Sequence, residues 1–169
     1  MNRWSKCVYA LLLGGGILAI PASAGSGTAA FEKLKSLVGH WESVGAAEKG
    51  TLDIQLTAGG TAIFERSHES VDGKPVDMTT MYFLDGGELR MTHYCMAGNQ
   101  PTMKGRYAPE TKTITFDFVS ATNMKSADDG HMHHAVYTIV DNDHLEMLWT
   151  FQKNQKDTFT EDISYVRAK

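Results

Sequence analysis

The sequence predicts an all-β protein in which about ten short antiparallel strands form an up-and-down barrel, preceded by one short helix. Three observations support this fold class. Apolar and polar residues alternate with a period of two from residue 40 to the C-terminus. The alternating segments are short, and turns of hairpin length separate them. Consecutive strands joined by tight turns are antiparallel, and closing them into a barrel leaves no exposed sheet edge.

Residues 1–24 have the pattern of a secretory signal peptide. Arg3 and Lys6 supply the positive charge, the apolar run "CVYALLLGGGILAI" follows, and Ala22-Ser23-Ala24 is a cleavage site of small residues. We therefore predict cleavage before Gly25. The mature protein is then exported, to a periplasm or to the medium, and has no membrane anchor.

The remaining chain is predicted to form one domain. Residues 25–30, "GSGTAA", are expected to be a flexible leader, and residues 31–169 a single barrel with one core. Loss of the two basic residues of the signal peptide changes the net charge from −4 to −6. A mildly acidic chain without clusters of Lys or Arg argues against nucleic acid as a partner. The sequence does not indicate an oligomeric state.

The elements follow from local patterns. "FEKLKSLVG", residues 31–39, has apolar residues at helical spacing and predicts one or two helical turns that end at Gly39. Turns rich in Gly, Asp, Asn and Pro then separate the strands, and one longer loop, "ATNMKSADDG", precedes the eighth. The ten predicted strands are "HWESVGA", "TLDIQLT", "TAIFERSHES", "VDMTTMYFL", "ELRMTHYC", "TMKGRYA", "TITFDFVS", "HMHHAVYTIV", "HLEMLWTFQ" and "DTFTEDISYVR".

The segment "LVGHWES", after an amphipathic turn, resembles the opening of lipocalin-like barrels of the calycin superfamily. In those families a Gly-x-Trp on the first strand closes the barrel floor, and an arginine near the end of the last strand packs on the Trp. The matching residues here are Gly39, Trp41 and Arg167. "TMYFLDGGELRMTHYCMAGNQPTM", "FDFVSATNM" and "GHMHHAVYTIVDNDHLEMLWTF" resemble a bacterial group of exported lipocalin-like proteins without an established activity. The resemblance covers residues 31–167 and implies a fold rather than a chemistry.

The number of strands is similar to that of the nitrobindin and fatty-acid-binding branches of this superfamily. Barrels of this size can enclose a small ligand. Nitrobindins bind haem through a histidine near the C-terminal end, but no histidine follows Trp149 in this chain. We therefore do not expect haem, and we expect no other cofactor.

Strand alternation suggests an apolar ligand pocket inside the barrel. In "ELRMTHYC" the residues Leu89, Met91, His93 and Cys95 share one face, which the apolar members place inside. In "HMHHAVYTIV" either alternating set could face inward. A largely apolar interior with a few polar groups is typical of ligand sites, so we predict a small-molecule binding or carrier protein. Its candidate ligand-binding residues are Trp41, Phe64, Arg66, Tyr82, Met91, His93, Cys95, Asn99, Gln100, Phe116, Phe118, Met147 and Trp149.

Three alternatives remain open at this stage. His93 with Cys95, and His131 with His133, have the i, i+2 spacing that puts two ligands on one face of a strand, so the four could bind zinc or copper. Cys95 with His93 could form a nucleophile and its base, but no third orienting residue is evident. The chain contains no G-x-S-x-G, H-E-x-x-H or phosphate-binding glycine loop. Finally, the apolar residues could simply fill the barrel.

Overall fold

The computed structural model of this protein describes residues 24–45 and 49–169, so the predicted signal peptide lies outside the described residues except for its last residue. These residues form a closed barrel of ten antiparallel strands with one α-helix, which confirms the predicted fold class. Each strand pairs with its neighbours in sequence, and β1 pairs with β10 to close the barrel. The elements are α1 (Ala24–Lys35), β1 (Gly39–Val44), β2 (Thr51–Thr57), β3 (Ala62–Val71), β4 (Lys74–Asp85), β5 (Glu88–Tyr94), β6 (Gln100–Ala108), β7 (Thr113–Thr122), β8 (His131–Ile139), β9 (His144–Lys153) and β10 (Lys156–Arg167).

The helix begins earlier than the sequence predicted. It includes residues 25–30, which we expected to be an irregular leader, and it ends at Lys35 rather than at Gly39. Ala30 and Phe31 are buried in the barrel core, so packing stabilises this first part of the helix. Gly27 lies against the β4–β5 hairpin so closely that a Cβ atom there would be 2.2 Å from the carbonyl oxygen of Gly87. A glycine that looked like linker composition is thus a site of close backbone approach. The helix of the described chain is too short and too polar to cross a membrane.

Trp41 and Arg167 close the barrel at one end. The Trp41 side chain is fully buried and donates a hydrogen bond from Nε1 to the carbonyl oxygen of Leu37 at 2.8 Å. The guanidinium carbon of Arg167 lies 4.1 Å from the centroid of the Trp41 ring. This is the arrangement that the resemblance implied for these two residues.

The core fills the part of the barrel between the two ends. Its largest fully buried side chains, apart from Trp41, are Tyr82, Tyr137, Phe116, Leu37, Leu52, Ile63, Leu89, Met91, Met103, Ile114 and Leu145. Most of these residues alternate along their strands with more exposed ones, as expected for a barrel with one face of each strand inside.

A β-bulge in β8 settles which of its residues face inward. The pairing with β9 shifts register between Met132 and His134. Ala135, Tyr137 and Ile139 are buried on one side of the bulge, and Met132 is buried on the other side of it. An inserted residue changes the phase of the alternation, so both alternating sets contribute interior residues.

Candidate functional site

The barrel contains two adjoining chambers. The outer chamber has a volume of about 540 Å³ and lies beside the turn that follows β5 and beside the β9–β10 hairpin. The inner chamber is much smaller, about 20 Å³. The two share the lining residues Glu69, Met78, Met132 and Glu161, so they form one site with a deep part and a wide part.

The wide outer chamber has a mostly apolar wall. Phe151 of β9 and Phe159 of β10 stack with ring centroids 5.0 Å apart and an angle of 11° between their planes. The other apolar residues around it are Val71, Met78, Cys95, Met96, Ala97 and Met132. A cavity of several hundred cubic ångström with this composition is typical of sites for small organic molecules. Methionine side chains adapt to ligands of irregular shape.

A chain of buried polar side chains runs behind the inner chamber. The hydroxyl of Tyr82 donates to a carboxylate oxygen of Glu65 at 2.6 Å and lies 2.8 Å from the hydroxyl of Tyr137. Thr80 also hydrogen-bonds Glu65, and its Oγ1 is 2.9 Å from Nδ1 of His93. The chain therefore connects four strands, β3, β4, β5 and β8, through hydrogen bonds, with Glu65 at its centre.

Burial perturbs the pKa values of the two ionisable ends of this chain. Glu65 is 4% exposed, and desolvation raises its pKa to about 7 despite the hydrogen bonds from Tyr82 and Thr80, which lower it. His93 is 5% exposed, and desolvation lowers its pKa to about 4. At neutral pH the imidazole is therefore neutral, while Glu65 is close to half ionised.

His93 lines the inner chamber and has one unpaired ring nitrogen. Its ring packs against the indole of Trp149, with centroids 4.8 Å apart. Nδ1 lies within hydrogen-bonding distance of Thr80, but Nε2 is buried and has no hydrogen-bond partner in the part of the chain that the structure describes. Buried polar atoms without partners are rare in native proteins, and each one calls for an explanation.

Two further glutamates lie where the two chambers meet. Burial raises the pKa of Glu69, and the nearby charge of Glu161 raises it further. Burial also raises the pKa of Glu161. Like-charged carboxylates in a partly desolvated wall favour protonation or a bound cation.

Four of the residues that the sequence singled out come together at this site. His93, Met147 and Trp149 line the inner chamber, and Cys95 lines the outer one. Tyr82 lies directly behind them in the hydrogen-bonded chain. Trp41, Met91 and Phe116 are instead fully buried in the packed core.

Phe64 and Arg66 do not belong to the interior, and that prediction is wrong. Ile63, Glu65 and Ser67 are the buried members of β3, so the residues between them face outward. Arg66 forms an exposed ion pair with Asp77 at 2.7 Å. The error arose because the aromatic residue was taken to mark the inner face, whereas pairing in the closed sheet places a glutamate there.

The loop after β5 forms part of the opening of the outer chamber, and the side chains of Asn99 and Gln100 hold this loop in place. Asn99 is buried, and its Nδ2 donates to the carbonyl oxygen of Gly130 at 2.8 Å, which ties this loop to the start of β8. Gln100 accepts a hydrogen bond from Thr122 at 2.6 Å on the exposed side of β6. Neither residue is part of the chamber walls, which this loop lines through Cys95, Met96 and Ala97.

The four candidate metal ligands do not converge. Nε2 of His131 is 3.1 Å from Nδ1 of His133, and both rings pack on Phe118, with centroids 4.5 and 5.0 Å away. Within residues 24–45 and 49–169, no group of three or more His, Cys, Asp or Glu side chains could hold a metal ion. The bulge in β8 turns these histidines toward Phe118, a placement that i, i+2 spacing alone does not reveal.

Cys95 and His93 are not arranged as a nucleophile and its base. The Nδ1 atom of His93 bonds Thr80 rather than the thiol. Burial raises the pKa of Cys95, although a hydrogen bond from the amide of Ala97 to Sγ opposes this shift. The reactive form of a cysteine is the thiolate, and this environment disfavours it.

Sequence reasoning missed the acidic residues of the wall. Glu65 and Glu69 alternate with Arg66 and His68 in β3, so the inner face of this strand has the same charged appearance as its outer face. Glu161 lies in β10 within a segment, "KDTFTED", that is polar except for Phe159. The one available indication was the i, i+2, i+4 series Ile63, Glu65 and Ser67, which begins with an aliphatic residue.

Comparison with solved structures supports the fold. The crystal structure of Rv2717c from M. tuberculosis superposes with a TM-score of 0.61 at 16% sequence identity, over 83% of this chain and 98% of that chain. At this identity the similarity concerns the fold alone. No family model matches the sequence. A comparison with curated proteins gives no match either.

Proposed function

We propose that this protein is an exported, lipocalin-like carrier that binds an apolar or amphipathic small molecule in the outer chamber. The observation that carries the proposal is the chamber itself, about 540 Å³ in volume, with methionine and phenylalanine side chains in its wall. Export follows from the signal-peptide pattern of residues 1–24.

The distribution of packing supports a carrier rather than a filled barrel. Side chains such as Met91, Phe116 and Leu145 occupy the interior near the helix without exposed surface. The outer chamber lies in a different part of the interior from these packed side chains. Met96, which is 59% exposed, is one of its wall residues. A barrel that is packed in one part and open in the other has a rigid scaffold and a route for a ligand.

The test is binding of a neutral fluorescent probe, N-phenyl-1-naphthylamine, to the purified protein. We expect its emission to rise and to saturate at one probe per chain. In a Met132→Trp variant the larger side chain occupies the place where the two chambers meet, so the affinity should fall by about tenfold or more. A Leu56→Trp variant is the matched control, because Leu56 is 46% exposed on β2 and is no part of either chamber wall.

Two outcomes would overturn the proposal. Wild-type protein that does not bind the probe would mean that the chamber is not a ligand site. Equal binding by wild type and Met132→Trp would place the probe elsewhere on the protein. Cys95 offers an independent check, because it lines the outer chamber. Bound probe should slow its alkylation by N-ethylmaleimide in native protein but not in urea.

A further inference from the structure

We propose that the natural ligand carries a protonated amine whose head lies between Glu69, Glu161 and His93, with its apolar part in the outer chamber. This inference rests on the proposed carrier function, because it assigns the chemical class of the ligand for the same cavity. Four features of the described residues support it: the charge of the wall, the direction of the buried hydrogen bonds, the unpaired nitrogen of His93, and the size of the inner chamber.

The wall of the two chambers is acidic. Its described residues include Glu65, Glu69 and Glu161 but no lysine or arginine. No basic side chain appears among the groups that perturb the pKa of Glu69 or Glu161, and neither residue forms an ion pair with a described basic residue. A cationic head would supply the missing counter-charge. A carboxylate head, as in a fatty acid, would be repelled.

The hydrogen bonds behind the inner chamber fix the proton on His93. When Glu65 is ionised, it accepts from both Tyr82 and Thr80. Thr80 has only one hydroxyl proton, which this bond uses, so its oxygen accepts from Nδ1–H of His93 across 2.9 Å. A neutral imidazole with its proton on Nδ1 has a lone pair on Nε2.

Nε2 of His93 is therefore a buried acceptor on a residue that lines the inner chamber. It has no hydrogen-bond partner among residues 24–45 and 49–169, although His93 is only 5% exposed. The three glutamates of the same lining, Glu65, Glu69 and Glu161, are also acceptors when ionised. A ligand that satisfies this site must bring hydrogen-bond donors, and an ammonium group brings up to three.

The dimensions agree with a small polar head and a larger apolar body. The inner chamber, about 20 Å³, has room for one group of about the size of a water molecule or an ammonium. Glu69 and Glu161 border this chamber and the outer one, so a head placed there leaves the rest of the ligand beside Phe151 and Phe159. The polarity of the ligand should thus decrease from the deep end toward the mouth.

The test compares decylamine, decanol and decanoate, which share one chain and differ in the charge of the head. Competition with N-phenyl-1-naphthylamine at about pH 8, below the micellar range, should rank them amine, then alcohol, then carboxylate. We expect the amine to bind at least about tenfold more tightly than the carboxylate, as one charge-assisted hydrogen bond would produce.

Two variants assign the preference to the wall. Glu69→Gln and Glu161→Gln should each reduce decylamine affinity by about fivefold to tenfold and leave decanol affinity unchanged. Glu110→Gln, in the exposed turn between β6 and β7, removes the same charge far from the site and should change neither. Because burial raises the pKa of both wall glutamates, the amides should not destabilise the fold, and a thermal melt checks this.

The outcomes separate this inference from the function on which it rests. If all three decyl compounds compete equally, or if decanoate competes best, the ligand class is wrong while the carrier function stands. If none competes and the probe itself does not bind, the carrier function fails. If the amine is preferred but Glu110→Gln weakens it as much as the wall variants do, the preference reflects the net charge of the protein, and the placement of the head is wrong.

Discussion

The guanidinium of Arg167 covers the buried ring of Trp41 at 4.1 Å and at the same time donates hydrogen bonds to three backbone carbonyls. The acceptors are Val38 at 2.7 Å, Ser36 at 3.0 Å and Asn142 at 2.8 Å. One side chain near the C-terminus thus joins the end of the last strand, the segment after the helix and the β8–β9 turn. It seals the end of the barrel opposite the ligand chamber.

Replacing Arg167 should therefore destabilise the protein as a whole. We expect Arg167→Ala to lower the free energy of unfolding by about 3 kcal/mol, because it removes a cation–π contact and charged hydrogen bonds to carbonyls. Arg167→Lys keeps the charge but loses the planar fork of donors, and we expect a loss of about 1–2 kcal/mol. Urea unfolding followed by circular dichroism measures both.

Arg106 provides the control for this experiment. It lies on the barrel exterior, and its ion pair with Asp117 is largely exposed, with side chains 65% and 47% accessible. Arg106→Ala should change stability by less than about 1 kcal/mol. Equal effects of Arg106→Ala and Arg167→Ala would show that the stacked arginine has no special part in closing the barrel.

The buried pair Glu65 and His93 should give stability an unusual dependence on pH. Glu65 has a pKa of about 7 in the fold against an ordinary value of 4.5, so the folded state holds the extra proton between these values. Its contribution to stability, about 3 kcal/mol, is complete at low pH and is lost as the pH rises to about 7. His93, with a pKa of about 4 against 6.5, acts in the opposite direction: stability is lost as the pH falls from about 6.5 to 4.

Removing the carboxyl of Glu65 should make the effect of His93 on the pH dependence of stability visible. Between about pH 5 and pH 8 the wild type loses the contribution of Glu65, and Glu65→Gln does not. The unfolding free energy of the variant should therefore rise by about 3 kcal/mol relative to that of the wild type over this range. Tyr82 and Tyr137 do not contribute, since burial raises the pKa of each further above its already high value. Glu69 faces the same interior and should add a smaller slope of the same sign as that of Glu65. Parallel pH curves for wild type and Glu65→Gln would contradict the burial of an ionisable carboxyl at this position.

Because α1 lies close to the β4–β5 hairpin, a substitution that helix propensity favours should destabilise the protein at this position. Alanine favours helix over glycine by about 1 kcal/mol, yet Gly27→Ala should destabilise the protein by about 1–3 kcal/mol, because its Cβ would meet the backbone of Gly87 and Glu88. The exposed Ala29 gives the comparison within the same helix. Ala29→Gly should cost only the propensity difference. If Gly27→Ala is stabilising, the helix is not held against the hairpin.

Export should remove residues 1–24. Expression of the full chain in a bacterium with a general secretion pathway should produce a protein whose intact mass corresponds to a start at Gly25. Cleavage there removes only Ala24 from α1 and keeps the Gly27 contact. Ala22→Asp should block processing, and Ser23→Asp at the neighbouring position should not. A full-length mass from the wild-type chain would overturn the prediction of a cleaved signal.

The strand pattern was predictable because it depends on local properties. All ten strands form at the predicted segments, and β5 turns Leu89, Met91 and His93 inward as its alternation indicated. Turn residues such as the Gly-Gly of the β4–β5 hairpin mark the connections. The Trp41 and Arg167 contact came from resemblance rather than from any local rule.

The residues of the site were harder to predict from the sequence, because the pairing of strands across the sheet decides which side chains of a strand face the barrel interior. Phe64 faces outward and Glu65 inward, contrary to their hydrophobicity, because β3 must pair with both neighbours of a closed barrel in one register. The bulge in β8 changes the phase within a single strand, which no fixed period describes. The sequence-based prediction therefore placed Phe64 inside the barrel and did not identify Glu65 as an interior residue.

The sequence by itself determined the class of the fold and the number and order of the strands, since hydrophobic period, turn chemistry and hairpin connectivity are local. Only the tertiary structure decided that the helix extends back to Ala24, that the histidines of β8 turn toward Phe118, and that a hydrogen-bonded chain from Tyr137 to His93 lies behind an acidic wall. Those arrangements depend on barrel closure, which brings together residues that are far apart in the chain. Closure also removes water from ionisable side chains, and the sequence does not show which polar residues are buried in this way.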